Sequence, residues 1–237
     1  MARPADPNAR ASLVAAARAE FVRHGILKAR VEDITQACGL SKGAFYLHFD
    51  SKEALFRELT GVLEAAFEQI RADRERAYLG LVAARAGDND HRADPTFVRA
   101  LSELDAREDR RLLDLLWDWR DVIDVLLRGC QGTEFDGVMW QVLDQQLERL
   151  RDQCLNLQRV RLVRDDVSAE LLGMMVVGTY MFVARRLVQA KVKPDFGELV
   201  TSLQRVMNAG MAPAPRASRT KAPRLSSRVS KKNRSSR

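Results

Sequence analysis

The sequence ITQACGLSKGAFYLHF occupies residues 34–49. It contains the end of one short helical pattern, over residues 31–38, and the whole of a second, over residues 42–48. Gly39 lies between them, where a tight turn needs a residue that tolerates positive φ, and Ser41 can cap the second helix. Two short helices joined by a three-residue glycine turn are typical of the helix-turn-helix motif.

A longer helix is predicted on each side of this motif. Upstream, Pro7 stands at a first helical position and apolar residues recur every three or four positions up to Gly25, which predicts a helix over about residues 7–24. Downstream, Asp50 and Glu53 resemble a capping box that opens a helix of about residues 51–77. Its apolar stripe consists of Leu55, Phe56, Leu59, Val62, Leu63, Ala66, Phe67 and Ile70.

The rest of the chain also carries helical patterns and no β-period run of useful length. Residues 86–95 are the clearest internal loop. The further helices are predicted at about residues 96–128, 134–162, 166–191 and 196–209. We therefore expect an all-α protein with three parts: a helix-turn-helix domain over residues 1–53, a helical body over 54–211 and a disordered basic tail over 212–237.

The charge is distributed unevenly along the 237 residues, which are 46% hydrophobic and 30% charged, as in a soluble globular protein. Nine of the 39 lysines and arginines follow Met211, where no acidic residue occurs. This leaves 30 basic residues against 32 acidic ones, or about −2, in residues 1–211. The tail could add nonspecific DNA affinity, or it could serve only solubility.

Several other classes of protein and site are disfavoured. The three cysteines (Cys38, Cys130 and Cys154) are widely spaced, which favours a reducing compartment and hence the cytoplasm. No secretory signal is evident, and the longest apolar run, residues 171–184, is too short to predict a membrane span. No nucleophile elbow, phosphate loop or metal-ligand motif occurs, so we expect neither an enzyme nor a cofactor.

A row of acids on one helix is predicted to be a solvated face neutralised by neighbouring arginines: Asp114, Asp118, Asp121 and Asp124.

The segment from Ile34 to Phe49, with SKEAL at residues 51–55, resembles the N-terminal domain of the TetR family of transcriptional regulators. The family pattern G-[VL]-S-[KR]-G-x-[FL]-Y-x-H-F-x-x-K-x-x-L matches it at nearly a dozen spaced positions. The resemblance covers roughly residues 8–56 and implies binding to double-stranded DNA. It assigns phosphate contacts to Lys42, Tyr46, His48 and Lys52, and the base-facing surface to Gly43, Ala44 and Leu47.

The residues themselves favour the same interpretation. Phe45 and Phe49 lie four positions apart and can pack beneath the second short helix, leaving Lys42, Tyr46 and Leu47 to project outward. The start of that helix, with Ser41, is suited to a phosphate. The alternatives are a motif used only for packing and, for His48, a hydrogen-bonded packing residue.

Two positions depart from the family pattern. The family usually has a threonine that caps the second helix and contacts phosphate where this chain has Arg30, and often an alanine where it has Thr35. Arg30 cannot cap in that way, but its guanidinium could reach a phosphate. We therefore include Arg30 and Thr35 among the candidate DNA contacts.

In the body, the resemblance implies a ligand-binding and dimerisation domain whose last two long helices form a four-helix interface between two subunits. The candidates are residues 134–162 and 166–191. The first carries a 4-3-4-3 seam, and the second carries Gly173 and Gly178, which could allow close helix approach. The alternative is that both stripes belong to the core of one chain. The seam consists of Leu143, Leu147, Leu150, Cys154 and Leu157.

Aromatic and thioether side chains in the body suggest an adaptable pocket for a small-molecule effector. They also fit an ordinary core. The candidates are Trp117, Trp119, Trp140, Met174 and Tyr180, with Met175 and Met181 nearby.

The sequence thus predicts a cytoplasmic, homodimeric, sequence-specific transcriptional regulator. We expect a repressor that an unknown small molecule releases from a palindromic operator, as the helix of about residues 51–77 swings the DNA-binding domains out of register. The alternative is a ligand-independent architectural or nucleoid-associated DNA-binding protein, for which the basic tail is the main argument.

Overall fold

A computed structural model describes residues 7–84 and 95–212, in which every regular element is an α-helix. The predicted all-α class is confirmed. Part of the predicted loop and nearly all of the predicted disordered tail, residues 85–94 and 213–237, lie outside the described residues. The helices are α1 (Pro7–Lys28), α2 (Val31–Ala37), α3 (Lys42–Tyr46), α4 (Lys52–Ala83), α5 (Pro95–Asp118), α6 (Arg120–Arg128), α7 (Val138–Arg159), α8 (Ala169–Gln189) and α9 (Phe196–Met211).

The first three helices and the first turn of α4 form a small unit that we call the reading head, and the rest of α4 together with α5 to α9 form the body. Gly25 interrupts α1 with a φ of 70°, so the regular helix ends where the sequence predicts. Ser41 and Ser51 cap α3 and α4 by accepting hydrogen bonds from Ala44 N and Ala54 N. The capping-box prediction for Asp50 is wrong, because Ser51 holds the N-cap position.

Reading head and body share one hydrophobic core. Phe56 of α4 makes edge-to-face contacts with Phe21 of α1 and with Phe135, which precedes α7; the ring centroids are 5.1 and 4.8 Å apart. Buried side chains of α5, α6, α8 and α9 continue the same cluster. The two parts are therefore packed together without an intervening linker.

Two helix boundaries differ from the sequence prediction. The single helix expected over residues 96–128 breaks at Trp119, whose φ and ψ are −110° and 10°. No glycine or proline marks this break, so the sequence offered nothing to predict it. The second short helix, α3, ends at Tyr46 rather than at residue 48, although His48 N and Phe49 N still donate to the carbonyl of Phe45.

Three residues of the predicted seam of α7, Leu147, Cys154 and Leu157, lie against α8 of the same chain. A Cβ on Gly173 of α8 would lie 3.1 Å from Leu147 Cδ1 and 3.4 Å from Arg151 N, so α7 and α8 approach closely at this glycine. Further along, Cys154 is buried with Leu172, and Leu157 packs against them. Part of the stripe therefore packs within the chain, as the alternative interpretation expects, while Leu143, Leu147, Leu150 and Leu157 are only half-buried and the four-helix interface between subunits stays a prediction.

Candidate DNA-binding surface

The α3 helix presents two large side chains outward over a buried aromatic residue. Phe45 is fully buried, while 51% of Tyr46 and 67% of Leu47 are exposed. Both exposed residues stand at the end of α3, on the surface that a neighbouring molecule can reach. Together they form an apolar surface at the end of α3 that a bound molecule could cover.

Aromatic contacts beneath α3 fix its position. The Phe45 ring packs edge-on against Tyr46, with centroids 5.3 Å apart, and lies 5.7 Å from the ring of Phe49. Arg10 of α1 places its guanidinium carbon 5.1 Å from the centre of the Phe49 ring. The helix thus rests on a layer of rings rather than on loop backbone alone.

The start of α3 carries an exposed cation with an acidic neighbour. Lys42 Nζ donates to Glu32 Oε1 at 2.6 Å, and Arg30 Nε lies 3.9 Å from Glu32 Oε2. The hydrogen bond raises the pKa of Lys42 and lowers the pKa of Glu32. Lys42 therefore remains charged on the surface expected to face DNA.

Gly43 leaves the backbone of α3 uncovered. A Cβ at this position would meet only Ser41 Oγ, at 3.7 Å, which is an ordinary van der Waals distance. Packing within the chain therefore does not require glycine here. The missing side chain instead leaves room for a ligand to approach the helix backbone.

The structure groups most of the predicted DNA contacts on one accessible part of the reading head. Ala44 and His48 are half-buried, and the His48 ring lies 6.4 Å from that of Phe49. The exposed members are Arg30, Ser41, Lys42, Gly43, Tyr46 and Leu47.

Two predicted contacts are used inside the protein. Thr35 is buried, and its hydroxyl donates to the carbonyl of Glu32, so it does not face outward. Lys52 Nζ donates to the carbonyls of Leu27 and Ala29, at 3.1 and 2.9 Å. Lys52 therefore satisfies carbonyls that the end of α1 leaves without helical partners.

The reading head is also joined to α6 of the body. Arg18 of α1 donates to both carboxylate oxygens of Asp121 and to the carbonyl of Asp118, and its guanidinium stacks on Trp119. Near the other end of α6, a Cβ on Gly129 would lie 3.5 Å from the Cα of Gly25. Sequence reasoning missed these contacts because the partners lie about a hundred residues apart.

The five predicted pocket residues do not line one cavity. Trp117 stacks on Arg120, Trp119 stacks on Arg18, and Trp140 is 65% exposed. These contacts do not bring the five residues together, because helical spacing does not specify which aromatic side chains converge, and the effector pocket stays a prediction. Met174 alone of the five lines the larger groove, and Tyr180 is placed beside a buried ionic cluster instead.

That groove is an open apolar surface of about 820 Å³. It runs along α8 to Pro194 and to Leu199 of α9. Among its lining residues, Met174, Met175 and Phe182 are 45%, 56% and 60% exposed. By length and composition alone α8 could also cross a membrane, and 17% of its most apolar window is buried in the chain.

A buried ionic cluster joins α4, α5, α8 and α9. Arg74 donates to Asp109 at 2.6 Å, and Gln204 donates to the second oxygen of the same carboxylate. Burial raises the pKa of the neighbouring Asp105 to about 6, despite the attraction of Arg74. The Tyr180 hydroxyl is buried and finds no hydrogen-bond partner among the described residues.

Three carboxylates of the acidic row on α5 and α6 pair with cations, those of Asp114, Asp121 and Asp124. Asp114 accepts hydrogen bonds from Arg110 and Lys193, at 3.1 and 2.7 Å. Asp124 pairs with Arg128. Within residues 7–84 and 95–212, no group of three or more histidine, cysteine or acidic side chains could hold a metal ion.

Comparison with known proteins places the surface in a family. Residues 13–59 match the family model described as "Bacterial regulatory proteins, tetR family". Over 50 residues the chain is 40% identical to the Escherichia coli (strain K12) protein named "Probable acrEF/envCD operon repressor". This match covers 21% of the chain and 23% of that relative, so the chain spans about a quarter of its length.

Solved structures match over most of the chain at low identity. The regulator FadR of Bacillus subtilis, in complex with stearoyl-CoA, is 17% identical with a TM-score of 0.54, over 85% of this chain and 98% of FadR. SmeT of Stenotrophomonas maltophilia, in complex with triclosan, is 19% identical with a TM-score of 0.52, over 84% of this chain and 90% of SmeT. These likenesses show a similar fold over about 85% of this chain.

Proposed function

We propose that the chain, whose residues 13–59 match the tetR family of bacterial regulatory proteins, is a transcriptional repressor that binds a palindromic DNA operator as a homodimer. The observation that carries the proposal is the α3 helix, which exposes Tyr46 and Leu47 over a rigid aromatic layer. We place the division between DNA-binding domain and body at about residue 53, as the sequence predicts.

The exposed groups on α3 suit the two kinds of DNA contact. Lys42 and Arg30 supply charge for phosphates, which fix the position of the protein on the duplex. Leu47 offers an apolar surface for thymine methyl groups, and Gly43 permits close approach of the backbone. Few long hydrogen-bonding side chains accompany them, so DNA shape is expected to add to the discrimination.

The apolar groove of α8 and α9 is the surface we propose for dimerisation. Met175 and Phe182 would be costly to leave in water, and a two-fold axis lets the same patch cover itself on a second copy. A dimer presents two α3 helices to half-sites spaced about one helical turn, roughly 34–36 Å, or closer if they overlap. Its site therefore includes twice as many base pairs as a monomer could contact.

We also propose that a small molecule bound in the body releases the DNA. Two proteins of the same fold have been solved with stearoyl-CoA and with triclosan. The contacts of Arg18 with Asp121 and of Gly25 with Gly129 connect α1 of the reading head directly to α6 of the body. A coupling of about 1–3 kcal/mol, or roughly 5- to 150-fold in affinity, is the usual scale of such a response.

Selection from a random duplex library tests the DNA-binding function. The full chain and a second form with the nine basic residues after Met211 changed to glutamine are compared at one salt concentration. Enrichment of the same palindrome by both forms supports the proposal. A Leu47→Ala variant controls for α3, because it should alter which sequence is enriched rather than abolish binding.

The second candidate is an architectural DNA-binding protein, which the nine uncompensated charges after Met211 favour. The same selection separates the two. Loss of all binding in the neutralised form, with no sequence enriched by the full chain, would replace the repressor with the architectural function. For either function the chain acts in the cytoplasm, where DNA is accessible, and we propose no catalytic activity for it.

A further inference from the structure

We propose that the Glu32 carboxylate competes with DNA phosphate for the Lys42 ammonium group. By binding Lys42, Glu32 lowers the affinity of the reading head for all DNA sequences. The inference rests on the proposed DNA-binding function and assigns a role to an acidic residue at the DNA-binding surface.

The geometry places one carboxylate between two cations. Glu32 Oε1 accepts from Lys42 Nζ at 2.6 Å, and Glu32 Oε2 lies 3.9 Å from Arg30 Nε. About half of the Glu32 and Lys42 side chains and 69% of the Arg30 side chain are exposed. The three groups are therefore held by charge rather than by packing, and a phosphate can reach them.

Lys42 is the first residue of α3. It is therefore the cation nearest to the N-terminus of the helix that we propose contacts DNA. Two other cations of the reading head have partners within the protein: Lys52 donates to two backbone carbonyls, and Arg10 pairs with Glu58. Lys42 can bind a phosphate only by leaving Glu32 or by drawing the phosphate towards a negative charge. Either event reduces the gain from neutralising that phosphate.

Asp33 supplies a matched control. It lies beside Glu32 in the first turn of α2, where an acid interacts equally well with the helix dipole. Its side chain is exposed, like that of Glu32, but no contact joins it to Lys42 or to Arg30 among the described residues. Glu32→Gln and Asp33→Asn therefore remove one charge each from the same helix turn, and only the first releases Lys42.

The experiment measures fluorescence anisotropy of the full-length protein with a 30-base-pair duplex of random sequence and with the duplex enriched by selection, over a series of KCl concentrations. We expect Glu32→Gln to bind both duplexes roughly 3- to 10-fold more tightly at low salt. We also expect the slope of log K against log salt to steepen by up to about 0.9, the value of one phosphate contact. Asp33→Asn should change the affinity less than about 2-fold, as a distant screened charge does.

A Lys42→Ala background tests whether Glu32 acts through Lys42. There, Glu32→Gln should lose most of its effect. Equal effects of Glu32→Gln and Asp33→Asn would overturn the proposal in favour of general charge repulsion, and weaker binding by Glu32→Gln would show that Glu32 positions Lys42 for DNA. If the wild type binds both duplexes equally, operator recognition fails, while the comparison of variants on the random duplex still decides the role of Glu32.

Discussion

Arg18 of α1 and Asp121 of α6 form a two-point contact, in which Arg18 Nε and Nη2 each donate to a different oxygen of the carboxylate, at 2.9 and 2.6 Å. The same guanidinium lies 4.8 Å from the centre of the Trp119 ring, at the break between α5 and α6. One side chain of the reading head thus fixes the position at which α6 begins.

Arg18→Met should weaken the attachment of α1 to α6. The paired planar geometry is stronger than an ordinary surface ion pair, but both partners are about a third exposed. We expect a loss of about 1–2 kcal/mol in the free energy of unfolding, measured by urea titration. Arg128→Met, which removes the exposed pair with Asp124 inside α6, should cost less than about 0.5 kcal/mol. Equal losses would show that Arg18 contributes no more than a surface charge.

Lys52→Met and Lys42→Met should have different effects. Lys52 donates to the carbonyls of Leu27 and Ala29, so its loss should lower the free energy of unfolding by about 1–3 kcal/mol. Lys42 is exposed, and its loss should leave stability within about 0.5 kcal/mol of wild type. Thermal unfolding and DNA titration of both variants check this. A Lys52→Met protein of unchanged stability would contradict the internal role of this lysine.

Asp105→Asn should change how stability depends on pH. Burial raises the pKa of this carboxyl from 3.8 to about 6, so the folded protein binds the proton more tightly than the unfolded chain. Its favourable contribution is complete below about pH 4 and is lost as the pH rises through about 6. We expect Asp105→Asn to be more stable than wild type by about 1–3 kcal/mol at pH 7.5, with little difference near pH 4.

The control for this titration is Asp109→Asn. Asp109 is 3% exposed and accepts hydrogen bonds from Arg74, whose side chain is 31% exposed, and from Gln204. Its replacement leaves Arg74 with only Asp105 as an acidic neighbour, so we expect a loss of about 1–3 kcal/mol at pH 7.5, opposite in sign to the effect at Asp105. Urea unfolding at the two pH values measures both variants, and a stabilised Asp109→Asn protein would refute this division of roles.

Phe182→Glu should dissociate the proposed dimer. Phe182 is 60% exposed in the groove of α8 and α9, and a buried, unpaired carboxylate at its centre would oppose association. Sedimentation velocity of the wild type should show a dimer, and the variant a monomer that keeps its helical content. Leu79→Glu, at a 56% exposed position on α4 that does not line the groove, should remain dimeric. A monomeric wild type would reject the dimer itself.

The sequence predicts what depends on neighbours along the chain. The glycine turn, the break of α1 at Gly25 and the burial of Phe45 and Phe49 all follow from local spacing and from the special conformational freedom of glycine. Periodicity also identifies which side of a helix is apolar. It does not identify the helix that covers this side, so the stripe of α7 could be predicted without its partner on α8.

Contacts between charged side chains could be identified only from the structure. Glu32 and Lys42 are ten positions apart across the turn, and Arg18 and Asp121 are 103 apart, so no helical spacing relates them. The candidate DNA contacts included Thr35 and Lys52, whereas the structure gives both side chains hydrogen bonds to backbone carbonyls. A motif specifies residue types, but the partners of each side chain depend on what the fold brings near it.

The approach of Gly25 to Gly129 has a mechanical consequence. Side chains between two helices can change rotamer and so accommodate a small displacement of one helix relative to the other. Here the surfaces in contact are bare backbone, with the Cβ position of Gly129 only 3.5 Å from the Cα of Gly25. A shift of α6 by a fraction of an ångström towards α1 therefore has no compliant layer to dissipate it, and it displaces the end of α1 directly.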